Sequence, residues 1–99
     1  MNFGAHLKHL RRQTKLAQDE LARKCRLSGA YINRLEAGKA DPPTRQVCVA
    51  LARALGVESD ELWRISFTAR LETWLRKEGL KNLPNEFIAT LFDQLVQKK

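Results

Sequence analysis

Apolar residues recur at helical spacing along nearly the whole chain, and glycines and prolines cut that pattern into segments. Phe3, Leu7 and Leu10 stand at i, i+4 and i+7 with Thr14 on the same line, which predicts a first helix over residues 3–15. Leu21, Ala22 and Cys25 give a second helix that starts at Gln18 and closes in a tight turn at Arg26 and Leu27. Ser28 is a good N-cap for a third, in which Ile32 and Leu35 face inward and Gly38 supplies the left-handed end. Lys39 to Thr44 is a loop, as Pro42 and Pro43 require, and Thr44 caps a fourth helix ending at Gly56. Val47, Leu51 and either Ala54 or Leu55 are its expected inward face. Ser59 or Asp60 opens a fifth helix with Leu62 turned to the core. Phe67, Leu71, Trp74 and Leu75 at i, i+4, i+7 and i+8 carry it to about Lys77, short of Gly79. Pro84 then opens a sixth, whose Phe87, Ile88, Leu91, Phe92, Leu95 and Val96 form a broad apolar face. The fold class is all-α.

The segment Ser28 to Gly38 organises the rest. A helix this short is marginal in water and must be held by packing, which the preceding segment supplies. Its other edge, Gly29, Ala30, Asn33 and Arg34, has no core to face. The run from Gln18 to Gly38, QDELARKCRLSGAYINRLEAG, resembles the helix-turn-helix of the phage-repressor family of DNA-binding domains (Cro/repressor, or xenobiotic-response-element type). Ala50-Leu-Ala-Arg-Ala-Leu-Gly-Val57 with Glu61-Leu62 is similar to that family's fourth helix and its exit, so the likeness spans about residues 3–65.

The resemblance implies a five-helix DNA-binding domain over residues 1–66 and a helical extension over 67–99. It sets Gln18 against a DNA phosphate and a recognition-helix side chain, and it brings Ser28, Gly29, Ala30, Tyr31, Asn33 and Arg34 into the major groove. Arg34 is the expected reader of guanine through O6 and N7, Asn33 of adenine, and Ala30 a contact for a thymine methyl. Tyr31 either donates its hydroxyl to a phosphate or caps the edge of the core. Lys39 and Arg45 flank the loop as phosphate clamps. The family also implies an ion pair between Arg11 and Glu36; the alternative is that Arg11 is one more surface cation. Two positions depart from the family pattern. Ala17 stands where a Ser, Thr or Asn cap is usual, and Arg26 stands where glycine is preferred, at a cost on the order of 1 kcal/mol for a left-handed backbone.

Charge sharpens the picture. The chain of 99 residues carries a formal net charge of +7. Residues 1–45 hold ten Lys/Arg against four acids and residues 46–99 hold eight against seven, so the basic excess lies in the half that resembles a DNA reader. No apolar run is long enough to span a membrane and the N-terminus has no signal core, which places the expected protein in the cytoplasm at the nucleoid. Cys25 and Cys48 fall on apolar helix faces and read as small buried hydrophobes, a redox pair being the outside reading. His6 and His9 are i, i+3 but nothing completes a metal site, so exposed helix surface is expected. No catalytic arrangement and no cofactor motif is present; there is no Gly-rich phosphate loop and no Cys-x-x-Cys.

The extension has too much aromatic and aliphatic surface to stay bare. It either thickens the core of one chain or buries against a second; in the favoured reading, a homodimer, Phe67, Leu71, Trp74, Leu75, Phe87, Ile88, Leu91, Phe92 and Leu95 are the expected contacts, since paired reading heads suit a palindromic operator. The reading is a dimeric repressor acting by promoter occlusion. One rival is an antitoxin that represses its own operon while these helices hold a toxin. Another is a protein-interaction module whose bare Gly29 and Ala30 no longer read DNA.

Overall fold

A computed structural model describes residues 2–77 together with 86, 89, 90 and 93. Within them five helices follow one another without a strand: α1 (Phe3–Gln13), α2 (Gln18–Cys25), α3 (Gly29–Glu36), α4 (Arg45–Leu55) and α5 (Ser59–Lys77). The fold is all-α.

Each start has a local cause. Asn2 Oδ1 accepts from the Ala5 amide at 2.8 Å, Ser28 Oγ from Tyr31 at 3.0 Å, and Thr44 Oγ1 from Val47 at 3.4 Å, each satisfying an amide that the first turn leaves unpaired. Ala17 has no side-chain acceptor to offer at the head of α2. Glu20 replaces half of that cap by accepting the Ala17 amide at 2.9 Å, and Asp19 beside it favours the positive end of the helix dipole.

The core is assembled from one fully buried aliphatic side chain per helix: Leu7, Leu21, Ile32, Leu51 and Leu62. Phe3, Ala22, Cys25, Leu35, Cys48, Ala52 and Leu55 complete it. Gly4 marks the tightest crossing. A Cβ there would overlap the Leu35 carbonyl oxygen and crowd that of Glu36, so α1 meets the end of α3 backbone to backbone.

Three expectations need correction. The first helix ends at Gln13; Thr14 is its exposed cap, its hydroxyl donating to the Leu10 and Arg11 carbonyls, and Lys15 lies beyond with φ 60°. On α4 the deepest residues are Cys48, Leu51, Ala52 and Leu55, with Val47 and Ala54 only partly covered. Leu51, Leu55 and Cys48 are where the sequence places them; Ala52 joins them because α4 packs against both α2 and α5. His6 is not exposed surface. α5 crosses α1 there, and the His6 Nε2 is buried with no hydrogen-bond partner among the described residues, 3.9 Å from Glu61.

α5 runs unbroken to Lys77, as the spacing of Phe67, Leu71, Trp74 and Leu75 predicts. Leu75 is buried, Phe67 and Leu71 are half-buried, and Trp74 is 54% exposed. Phe67 sets its ring edge-on to Trp63 at 5.9 Å. The expected contacts Phe87, Ile88, Leu91, Phe92 and Leu95 lie outside the described residues.

Candidate nucleic-acid interface

The interface begins with a strained turn. Arg26 closes α2 in the left-handed region, φ 58° and ψ 39°, and Leu27 sends its amide five residues back to the Ala22 carbonyl at 2.9 Å. Leu27 itself packs against the core, so burial of its side chain holds the turn that its neighbour's backbone disfavours. α3 leaves this turn with Ile32 and Leu35 buried. Ala30, Asn33 and Arg34 are exposed on the other side, while Gly29 is half-covered by the Asp19 carboxylate.

Arg34 and Tyr31 share that edge. The guanidinium carbon lies 5.9 Å from the centre of the phenol ring, a stacking that restricts the arginine without spending its N–H donors. Burial pushes the Tyr31 phenol up, Cys48 and Asp41 add to this, and Arg34 opposes it. The hydroxyl therefore stays protonated at neutral pH and able to donate.

Behind α3 runs a chain of charge-assisted hydrogen bonds. Arg11 Nε donates to Glu36 Oε2 at 2.6 Å and Nη2 to Oε1 at 2.9 Å, a two-pronged pair with side-chain exposures of 12% and 4%. Its third donor, Nη1, reaches the Leu16 carbonyl at 2.8 Å, so one guanidinium ties together α1, the α1–α2 turn and the end of α3. Gln18 Nε2 donates to Glu36 Oε1 at 3.0 Å, and Gln18 Oε1 accepts from Asn33 Nδ2 at 3.3 Å. Burial alone would raise the Glu36 carboxyl. The hydrogen bonds from Arg11 and Gln18, with the charges of Arg11 and Lys8, outweigh it and hold the group below its ordinary range.

The loop after α3 is fastened from α5. Gly38 takes φ 73° and Lys39 returns its amide to Arg34 at 2.8 Å, which leaves the Lys39 side chain exposed. Pro43 is buried, and its carbonyl accepts from the buried Ser66 hydroxyl; Arg70 Nη1 donates to the Pro42 carbonyl at 3.0 Å. At the loop's far end Arg45, partly exposed, lies 3.9 Å from Asp60 of α5. Ser66 and Arg70 thus set the path of the backbone that carries Lys39 and Arg45. Sequence reasoning missed both, because a small polar residue and one arginine among many carry no pattern. The only hint was the proline pair itself, whose carbonyls needed donors from elsewhere.

Gln18, Ser28, Gly29, Ala30, Tyr31, Asn33 and Arg34 are therefore brought together on α2 and α3, with Lys39 and Arg45 beyond the end of α3. Cys25 and Cys48 are free thiols in buried positions. Burial pushes Cys48 up to about 11, against smaller opposing contributions from Ser66 and Arg70, so it persists as an unreactive thiol. Among the described residues no group of His, Cys, Asp or Glu is placed to hold a metal ion, and no helix is long and apolar enough to cross a membrane.

Residues 2–64 match the family model described as a helix-turn-helix domain. The chain belongs to that family, a class of DNA-binding regulators. No curated protein and no solved structure was found to match it.

Proposed function

We propose that the protein is a sequence-specific regulator of transcription of the phage-repressor type, working in the cytoplasm as a homodimer and repressing by occupying a promoter. The observation that carries the reading is the uncovered edge of α3, where Ala30, Asn33 and Arg34 stand exposed on a helix whose opposite face is locked into the core. Arg34 reads guanine and Asn33 a second base, while Ala30 lies against a thymine methyl. Gln18, Tyr31, Lys39 and Arg45 take phosphates on either side. The exposed Trp74 on α5 supports pairing through the extension, because two reading heads related by a two-fold axis suit two half-sites.

Selection of bound duplexes from a random pool, with wild type and Arg34→Ala side by side, tests this. The wild type should enrich one motif, and Arg34→Ala should relax a single G·C position at a cost of about 1–3 kcal/mol. If six to ten phosphates are neutralised, affinity should fall by about 10³ to 10⁵ between 50 and 200 mM salt. Enrichment of no motif, or binding indifferent to salt, would sink the proposal.

A further inference from the structure

We propose that Glu36, acting through Gln18, sets which way the Asn33 amide faces and so makes adenine rather than guanine the base that Asn33 reads. The inference rests on the DNA-reading function proposed above and deepens it. A carboxamide has two chemically opposite ends, an oxygen that only accepts and an NH2 that only donates, and only its surroundings decide which end points where. Here the decision starts at a group with no choice. Glu36, paired with Arg11 and held as the carboxylate, can only accept.

Gln18 must therefore turn its Nε2 toward Glu36, which it does at 3.0 Å. Its Oε1 is left facing α3. Asn33 meets an acceptor there and turns its own Nδ2 inward, at 3.3 Å. Among the described residues nothing donates to Asn33 Oδ1, and Asn33 is exposed. The polarity of one part-buried ion pair is thus handed across two amides to the surface of the reading helix.

The consequence is a choice between purines. An outward oxygen with the second N–H beside it matches the N6 donor and N7 acceptor of adenine. An amide turned the other way would present its NH2 to the O6 and N7 acceptors of guanine. Glu36 and Gln18 touch no base in this arrangement; they are positioning residues whose effect is seen at one base pair.

Duplex selection with Asn33→Ala first identifies the position Asn33 reads, as the one whose preference disappears. There the wild type should favour adenine over guanine by about tenfold or more. Gln18→Ala keeps the Arg11–Glu36 pair, and Glu36→Gln replaces the obligate acceptor by a group that can face either way. Both should reduce that adenine preference severalfold while leaving the position lost in Arg34→Ala unchanged, a pattern that a general weakening of the fold would not produce. If Glu36→Gln does not fold, Gln18→Ala alone decides. An adenine preference undiminished in Gln18→Ala, or guanine favoured by the wild type at that position, overturns the assignment alone. A wild type that enriches no motif overturns the DNA-reading function together with it.

Discussion

Lys15 and Arg26 occupy, after α1 and α2, the same place that Gly38 and Gly56 occupy after α3 and α4. All four have positive φ, between 58° and 73°. In each turn the next residue returns its amide five positions: Leu16 to Arg11, Leu27 to Ala22, Lys39 to Arg34 and Val57 to Ala52. The hydrogen-bond geometry is shared, but the residue type is not. A side chain in this region costs about 1–2 kcal/mol, so something outside the turn must hold the first two. At Lys15 the following Leu16 packs on the core and its carbonyl takes a hydrogen bond from Arg11. At Arg26 the following Leu27 packs on the core. At Gly38 the following residue is the exposed Lys39, with no such anchor. Both strained turns flank α2, the helix that packs beneath α3.

The largest expected effect removes the common anchor. Arg11→Ala leaves Glu36 as a buried, unbalanced carboxylate and frees the Leu16 carbonyl. Chemical denaturation at neutral pH should show a loss of about 3 kcal/mol. The same pair fixes a pH dependence. The Glu36 carboxyl lies below its ordinary value of 4.5 in the folded chain, so its contribution is fully present above that value and fades as pH falls through the lower folded one. The stability gap between wild type and Arg11→Ala should accordingly narrow in acid; a gap that stays constant from pH 7 to pH 2 would contradict the pairing.

Leu27→Ala comes next. It withdraws the anchor of the Arg26 turn, and with a partly buried leucine about 2 kcal/mol should be lost in the same titration. Gly38→Ala isolates the backbone cost, because a Cβ there has nothing within 4 Å to strike. A loss of about 1 kcal/mol is expected from the positive φ alone. The smallest effects have the opposite sign. Lys15→Gly and Arg26→Gly should each raise the thermal midpoint, by about 1 kcal/mol in stability, since they relieve strain and break no hydrogen bond. If either is destabilising, its side chain makes a contribution larger than the backbone penalty.

These contrasts mark how far the sequence could be read. The five helices and the caps at Ser28, Thr44, Gly38 and Gly56 follow from spacing and residue chemistry, and the left-handed Arg26 is visible as a departure from a family pattern. Lys15 was not, because helical propensity through Arg11, Arg12 and Gln13 hides a stop that is enforced by Leu16 and Arg11 in three dimensions. The candidate reading edge was legible because Ile32 and Leu35 define what faces inward, and by exclusion what does not. The Arg11–Glu36 pair was legible only through the family resemblance, since 25 positions separate its partners; the bonds from Gln18 to Glu36 and Asn33 were not, because no local pattern encodes which end of an amide faces its neighbour. His6 and Ser66 were misjudged or missed for one reason: what lies across from them belongs to another element.

Ser66 and Arg70 carry a last consequence. Both lie beyond residue 64, where the helix-turn-helix match stops, yet their hydroxyl and guanidinium moor the two proline carbonyls of the loop that bears Lys39 and leads into Arg45. A fragment trimmed at the family boundary would keep α1 to α4 and forfeit both moorings. The smallest unit that keeps both moorings therefore extends at least as far as Arg70.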